Sequence, residues 1–309
     1  MHKVDILLAT YNGEKHLSAQ IASLFEQTFN DWRLLVRDDG STDATVSIIQ
    51  SLVLEHPDKV VFIEDELGNL GPSQSFSKLM THSSAPYVAF CDQDDVWMQD
   101  KLELQLQEMI KTEKKSGPDT PVLIHTDLKV VGASMMEWSD SFWQYQNIKP
   151  AKMNKLNILL LQNYVTGCTC LLNRSLVNEA SPIPDQAIMH DWWIALVALS
   201  KGEIVEIERA SIYYRQHGSN DIGAKFWGIM FIVNKILADP DLIKISLKRT
   251  RDQAIALYQM PGLNDDHKAT IQRYINLYDY PWIARRVALI KNKFYKYGLI
   301  RKIALFLMV

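Results

Sequence analysis

The sequence predicts an α/β protein: a mostly parallel sheet flanked by helices, with a helical C-terminal extension. Three observations predict it. Short apolar runs alternate with segments of helical spacing over the first hundred residues, the pattern of successive βαβ units. Three of those runs end in polar loops, Thr10–Gly13, Asp38–Ser41 and Asp92–Asp95, and parallel strands bring such ends to one edge of the sheet. Beyond about residue 221 only helical segments remain, punctuated by Asp239-Pro240, Pro261-Gly262 and Tyr280-Pro281.

Val4–Ala9 reads as the first strand, and Glu14–Gln27 as a helix with Leu17, Ile21, Leu24 and Phe25 on one face. Trp32–Val36 is the second strand. Gly40 permits a sharp turn after it, and Ser41, Thr42 or Asp43 can cap the helix through Ile48, Ile49 and Leu52. Val60–Ile63 is the third strand. Gly68-Asn69-Leu70-Gly71-Pro72 leads into a helix, with Pro72 suited to its first turn. A buried strand from Val88 ends in Asp92, followed by a helix over Lys101–Lys111 and a strand over Val122–Thr126. Trp138, Phe142, Trp143 and Tyr145 are either core or the lining of a sugar-binding groove. Leu156–Leu161 reads as a short helix and Asn163–Leu172 as a strand, whose Gly167 marks close approach of a ligand or another backbone. Ile212–Asn220 is a strand ending in a polar turn. Phe226–Ile236, Leu242–Tyr258, Asp266–Leu277 and Trp282–Val309 read as helices.

Composition is that of an ordinary packed protein: 47% hydrophobic and 22% charged in 309 residues. A net charge of -3 argues against nucleic-acid binding. Three cysteines give no disulfide framework and suggest a reducing compartment; Cys168 and Cys170 read as buried strand residues rather than half a zinc site. The chain enters a strand almost at once, with no signal-peptide pattern and no apolar run long enough to span a membrane.

The chemistry concentrates in Asp92-Gln93-Asp94-Asp95. Clustered carboxylates repel one another, and a hard divalent cation with oxygen ligands relieves that repulsion. A nucleotide laid across the same sheet edge would meet the Tyr11 ring, the Asp38–Asp39 carboxylates and a metal for its phosphates. There is no Gly-x-Gly-x-x-Gly after the first strand and no Gly-Lys-Ser/Thr loop, so dinucleotide and P-loop readings lose their warrant. Asp191, near a helix start where the dipole favours its ionised form, is either a general base or a plain cap. His217 either completes the metal site or sits at the surface, with Arg215 or Ser219 near phosphate.

Together these residues resemble the family 2 glycosyltransferases of the GT-A fold, a Rossmann-like nucleotide-diphospho-sugar fold. The resemblance covers residues 3–220 and rests on Ala9-Thr10-Tyr11-Asn12-Gly13, Asp38–Asp43, Asn69-Leu70-Gly71 and Asp92–Asp95. Gly167-Cys168-Thr169, His190-Asp191-Trp192-Trp193 and Tyr214–Asn220 are similar to one branch, bacterial polysaccharide rhamnosyltransferases. The resemblance implies an inverting transferase, with a catalytic domain over 1–222 and a helical region over 223–309. Within that domain it implies a nucleotide-sugar half (1–98) and an acceptor half (99–222). The donor it implies is dTDP-L-rhamnose, the alternatives being a UDP-hexose or a non-catalytic sugar-nucleotide or glycan-binding module. Thr10, Tyr11, Asn12, Asp38, Asp39, Asn69, Asp92 and Gln93 would meet the nucleotide. Asp94, with Asp92 and His217, would hold Mn2+ or Mg2+, and Asp191 would be the base. Arg215, Ser219, Gly167, Cys168 and Trp192 would contact diphosphate or acceptor.

After Asp279 no acidic residue occurs, while seven Lys and Arg side chains are interleaved with aromatic and aliphatic ones. Such a stretch can lie on an anionic membrane, pack on the catalytic domain, or form a homodimer contact. The first suits a lipid-linked glycan acceptor and a cytoplasmic enzyme peripheral to the inner face of the plasma membrane.

Overall fold

The computed structural model describes residues 2–216 and 240–308. The helix expected over Phe226–Ile236 lies outside them. β1 (Val4–Thr10), α1 (Leu17–Phe25), β2 (Trp32–Asp38), α2 (Thr45–Glu55), β3 (Val60–Phe62), α3 (Gly71–His82) and β4 (Tyr87–Cys91) follow one another as read from the sequence. β5 (Val96–Trp97), α4 (Lys101–Ser116), β6 (Val122–Gly132), β7 (Glu137–Ser139) and three short helical turns, α5 to α7, between Phe142 and Leu159 come next. They lead to β8 (Cys170–Asn173), α8 (Arg174–Ala180), α9 (His190–Lys201) and β9 (Glu203–Gln216). The C-terminal helices are α10 (Pro240–Tyr258), α11 (Asp265–Asn276), α12 (Trp282–Lys291) and α13 (Leu299–Met308).

The sheet order is β3-β2-β1-β4-β8-β6-β9-β5, with β7 paired to β6. β3, β2, β1 and β4 are all parallel. β8 enters antiparallel between β4 and β6, and β9 runs parallel to β6 along a bulged pairing. Parallel strands are covered on both faces, which is why their sequences read as near-continuous apolar runs. Val4, Ile6 and Leu8 of β1 pack beneath α1, α2 and α4, whereas Leu7 faces the core shared by α3 and α9. Leu257 of α10, Tyr274 of α11, Leu289 of α12 and Leu305 of α13 join that second core.

Three expectations are corrected. The strand expected over Asn163–Leu172 pairs only from Cys170, because Gly167–Thr169 closes a 3-10 turn in which the Thr169 amide and hydroxyl both donate to the Thr166 carbonyl. Cys168 is therefore a turn residue. α4 runs past Lys111 to Ser116, since Lys114 and Lys115 complement its C-terminal dipole, and it stops at Gly117, whose φ is +93°. The single helix expected from Trp282 breaks into α12 and α13, with φ +55° at Lys293 and +95° at Gly298.

One buried cation holds the end of β2. Arg37 donates through all five of its N–H groups: Nε and Nη2 to the Asp65 carboxylate (2.9 and 3.0 Å), Nη2 also to the Gly68 carbonyl, and Nη1 to Asp39 Oδ1 (2.6 Å) and the Ser75 hydroxyl. Asp39 also accepts from the Leu70 and Gly71 amides and from the Ser75 hydroxyl, so one knot joins β2, the loop before α3 and α3 itself. Removing one partner of such a buried pair leaves an uncompensated charge. Arg37→Met is expected to lower unfolding stability by about 3–5 kcal/mol, read as a fall in urea midpoint; an unchanged midpoint would refute this account of the knot.

Candidate active site

The loops after β1, β2 and β4 meet at one sheet edge and are stitched together by side chains. The Asp39 amide donates to the Thr10 carbonyl, and the Thr10 hydroxyl donates to Asp38 Oδ1 at 2.7 Å. Asp38 Oδ2 accepts from the Gly40 and Ser41 amides, closing the turn that Gly40 makes at φ +90°. The Asn12 amide donates to the Ser41 hydroxyl, while Asn12 Oδ1 accepts from the Thr42 amide. Gln93 reaches back from the β4 loop and pairs with the Tyr11 backbone in both directions, 2.9 Å each way. A Cβ on Gly13 would lie 2.2 Å from Gln93 Oε1, so only glycine admits this pairing. The Tyr11 ring and Asn69 stand exposed on the same rim. Thr10 and Asp39, by contrast, are buried, and both Asp39 oxygens are engaged within the protein.

The acid cluster is arranged differently from the sequence expectation. Ligand atoms of Asp92, Asp95 and Cys168 lie within 4.8 Å of one another, whereas Asp94 stands outside that group. Asp95 is fully buried; its Oδ1 accepts from the Arg215 amide and its Oδ2 has no hydrogen-bond partner. Burial, reinforced by Asp94 and Asp92, pushes its carboxyl well above the ordinary range. Crowded carboxylates with an orphaned buried oxygen fit a divalent cation held by oxygen ligands. Burial and the neighbouring acids push the Cys168 thiol upward too, which favours the neutral thiol over the thiolate.

Asp191 sits in the first turn of α9, half-buried. Its Oδ1 accepts from Asn163 Nδ2 and its Oδ2 from the Gly167 amide, each at 3.1 Å. The helix dipole was expected to favour the ionised form of this group. Burial instead outweighs the dipole and these hydrogen bonds and pushes the carboxyl up to about 7. Gly167 is needed for a close approach, but to a side chain: its Cβ would lie 2.6 Å from Nε2 of the buried His190.

Other expected ligand residues serve the frame. Arg215 is buried, donating to the Asp94 and Ala133 carbonyls. The Trp192 indole donates to the Leu159 carbonyl. Trp143 is core, whereas Trp138 is exposed. His217 and Ser219 lie outside the described residues. Sequence reasoning missed Asn163 and Lys101. Lys101 is fully buried 3.9 Å over the Trp97 ring, its pKa brought down to about 8 by burial. It donates to Gln105, which in turn donates to the Thr169 carbonyl and props the Gly167–Cys168 turn from behind. The apolar helical spacing around Leu102, Leu106 and Met109 places Lys101 and Gln105 on the buried side of α4, the one signal available.

The family model described as Glycosyl transferase family 2 matches residues 5–180. The chain is 31% identical over 182 residues to the UDP-Glc:alpha-D-GlcNAc-diphosphoundecaprenol beta-1,3-glucosyltransferase WfgD of Escherichia coli, covering 58% of this chain and 63% of that one. It therefore spans just under two thirds of WfgD's length. It is 23% identical over 229 residues to the dTDP-rhamnosyl transferase RfbG of Shigella flexneri, covering 70% of this chain and 74% of that one. Among solved structures, S. aureus TarS 1-349 in complex with UDP superposes with a TM-score of 0.56 at 16% identity, over 91% of this chain and 73% of that one. The mannosyltransferase PcManGT from Pyrobaculum calidifontis, in complex with GDP-Man and Mn2+, does so with 0.55 at 14%, over 94% and 73%. The chain belongs to glycosyl transferase family 2 and has the GT-A fold.

Proposed function

We propose that the protein is an inverting, metal-dependent glycosyltransferase that moves L-rhamnose from dTDP-L-rhamnose onto a hydroxyl of a growing cell-wall or capsular polysaccharide. The observation that carries the mechanism is Asp191: a carboxylate oriented by Asn163 and the Gly167 amide, with a pKa of about 7. Such a group is half ionised near neutral pH, the working range of a general base. Asp191 takes the proton of the acceptor hydroxyl as that oxygen attacks the anomeric carbon. The bond to the diphosphate breaks on the opposite face and its electron pair leaves with the diphosphate. A single base suffices because no covalent intermediate forms. Asp92, Asp94 and Asp95 are the residues that would hold Mn2+ or Mg2+, which when bound offsets charge on the leaving diphosphate. Tyr11, Asn12, Asp38 and Asn69 line the rim proposed for the nucleoside, while Gln93 and the buried Thr10 and Asp39 hold that rim in shape.

Similarity to RfbG supports the rhamnosyl donor. The higher identity to WfgD favours a second reading, a UDP-hexose donor with the same mechanism. The diphosphoundecaprenol-linked substrate of WfgD also supports a lipid-linked glycan as acceptor. Such an acceptor is met at the inner face of the plasma membrane, the proposed location. No helix among the described residues is long and apolar enough to cross a membrane.

Asp191→Asn is expected to lower the transfer rate roughly 10²–10⁴-fold while leaving nucleotide affinity intact; near wild-type transfer would remove Asp191 from the role of base. Transfer should fall as pH drops through 7, because the protonated carboxyl cannot accept a proton. Asn163→Ala removes a hydrogen bond that favours the ionised form, so the acid limb of the pH–rate profile should move up by about half to one unit. A limb that stays put, or moves down, contradicts the role given to Asn163. In calorimetry, dTDP is expected to bind more tightly than UDP or GDP with Mn2+, and to lose that affinity in EDTA. Preference for UDP would select the second reading, and metal-independent binding would dissociate the Asp92–Asp95 cluster from the cation.

A further inference from the structure

Among the described residues, the outer faces of α12 and α13 are apolar and uncovered. On α12, Trp282, Ile283, Val287 and Ile290 are exposed by 58–69%. At 100° per residue these four fall within an arc of about 140°. On α13, Leu299, Ile303, Phe306 and Leu307 are exposed and fall within about 100°. The inward faces are not free: Leu289, at the edge of the α12 arc, and Leu305, across α13 from its arc, are buried in the core shared with α9. Both helices are thus amphipathic with two apolar sides, one turned inward and one left to solvent.

Arg286 joins the two helices. Its guanidinium lies 3.7 Å over the Trp282 ring and donates to the Leu307 carbonyl. Further contacts fix the pair to the body: Asn157 donates to the Lys293 carbonyl, and Arg301 to the Gln146 carbonyl. The exposed residues therefore form one preformed surface rather than two independent ones. Lys291, Lys293 and Lys302 are exposed alongside it, and no acidic residue follows Asp279.

We propose that α12 and α13 form a docking surface for an anionic phospholipid bilayer, into whose interface Trp282, Ile283, Val287, Ile290, Ile303 and Leu307 insert. Apolar side chains flanked by lysines suit the boundary between acyl chains and negative headgroups. A second copy of the chain suits it poorly. A two-fold contact would bring the lysines of both copies to one seam, with no carboxylate on either helix to answer them. Neither helix is long enough to span the bilayer, so the contact is interfacial. The biological sense of this surface rests on the lipid-linked acceptor proposed above, but its chemistry does not.

The test is flotation of the full chain with vesicles of phosphatidylcholine alone and of phosphatidylcholine with 30% phosphatidylglycerol, where that fraction is about the anionic content needed for a substantial surface potential. Binding is expected only to the anionic vesicles, weakening at high salt. Ile283→Glu with Ile290→Glu should abolish it. Lys291→Glu with Lys302→Glu should reduce partitioning roughly tenfold or more, at about 1 kcal/mol per basic charge near the surface. All four positions are exposed, and metal-dependent nucleotide binding measured on each variant reports an intact fold. Absence of vesicle binding by the wild-type chain overturns the proposal, as does binding indifferent to these substitutions. So does a concentration-dependent dimer, seen by light scattering, that Ile290→Glu dissociates. Loss of nucleotide binding in the wild-type chain would instead count against the transferase reading and leave the vesicle result standing.

Discussion

The sheet edge that carries the candidate site depends on the saturation of one guanidinium. Arg37 has five N–H donors, and two carboxylates, a hydroxyl and a carbonyl take them all. Its burial costs solvation that only complete pairing offsets. In return β2 ends at a fixed point, with the loop before α3 drawn against it through the Asp39 contacts to the Leu70 and Gly71 amides. Everything on the rim is then hung from β2: Asp38 closes its own turn and receives the Thr10 hydroxyl, and Asn12 and Ser41 link the adjoining loops. Lysine could not substitute, because its three donors radiate from one nitrogen and cannot address Asp39 and Asp65 together.

Much of this was legible beforehand, and for a definite reason. The strands β1, β2 and β4 are apolar on both faces and stop at polar loops, so their existence, direction and common edge could be read from local pattern alone. What could not be read depends on residues far apart in sequence. The engagement of Asp39 within the frame could not be read, because its partners at Leu70, Gly71 and Ser75 leave no mark beside it. Asn163 carried no signal, since its bond to Asp191 crosses 28 positions. The upward push on the Asp191 carboxyl was not legible, because the dipole is local and burial is not. The break between α12 and α13 was hidden for another reason: Lys293 takes up a positive φ that lysine seldom adopts, and only Gly298 hinted at a stop.

The two chemical centres are joined by consecutive residues. The Gly167 amide donates to Asp191, and the Cys168 thiol lies beside Asp92 and Asp95. Lys101 and Gln105 support this turn from the core. A short 3-10 turn has little freedom to lengthen, so the spacing between Asp191 and the acid cluster is set by backbone geometry rather than by flexible side chains. The glycine belongs to that geometry, since any side chain would meet the His190 ring.

The shared core of α9 with the C-terminal helices has a consequence for biogenesis. The segment leading into α9 is pinned by Gln253, which accepts from the Ile188 amide, and the back of α9 lies in one cluster with Leu257 and Tyr274. Those covering residues leave the ribosome long after α9 does. At 5–20 residues per second, the delay between Lys201 and Asn276 is roughly 4–15 s. During that interval Trp193, Ile194 and Leu196 stand without part of their eventual cover. The nascent chain can assemble its parallel half-sheet early, whereas the back of α9 is covered only when α10 and α11 arrive.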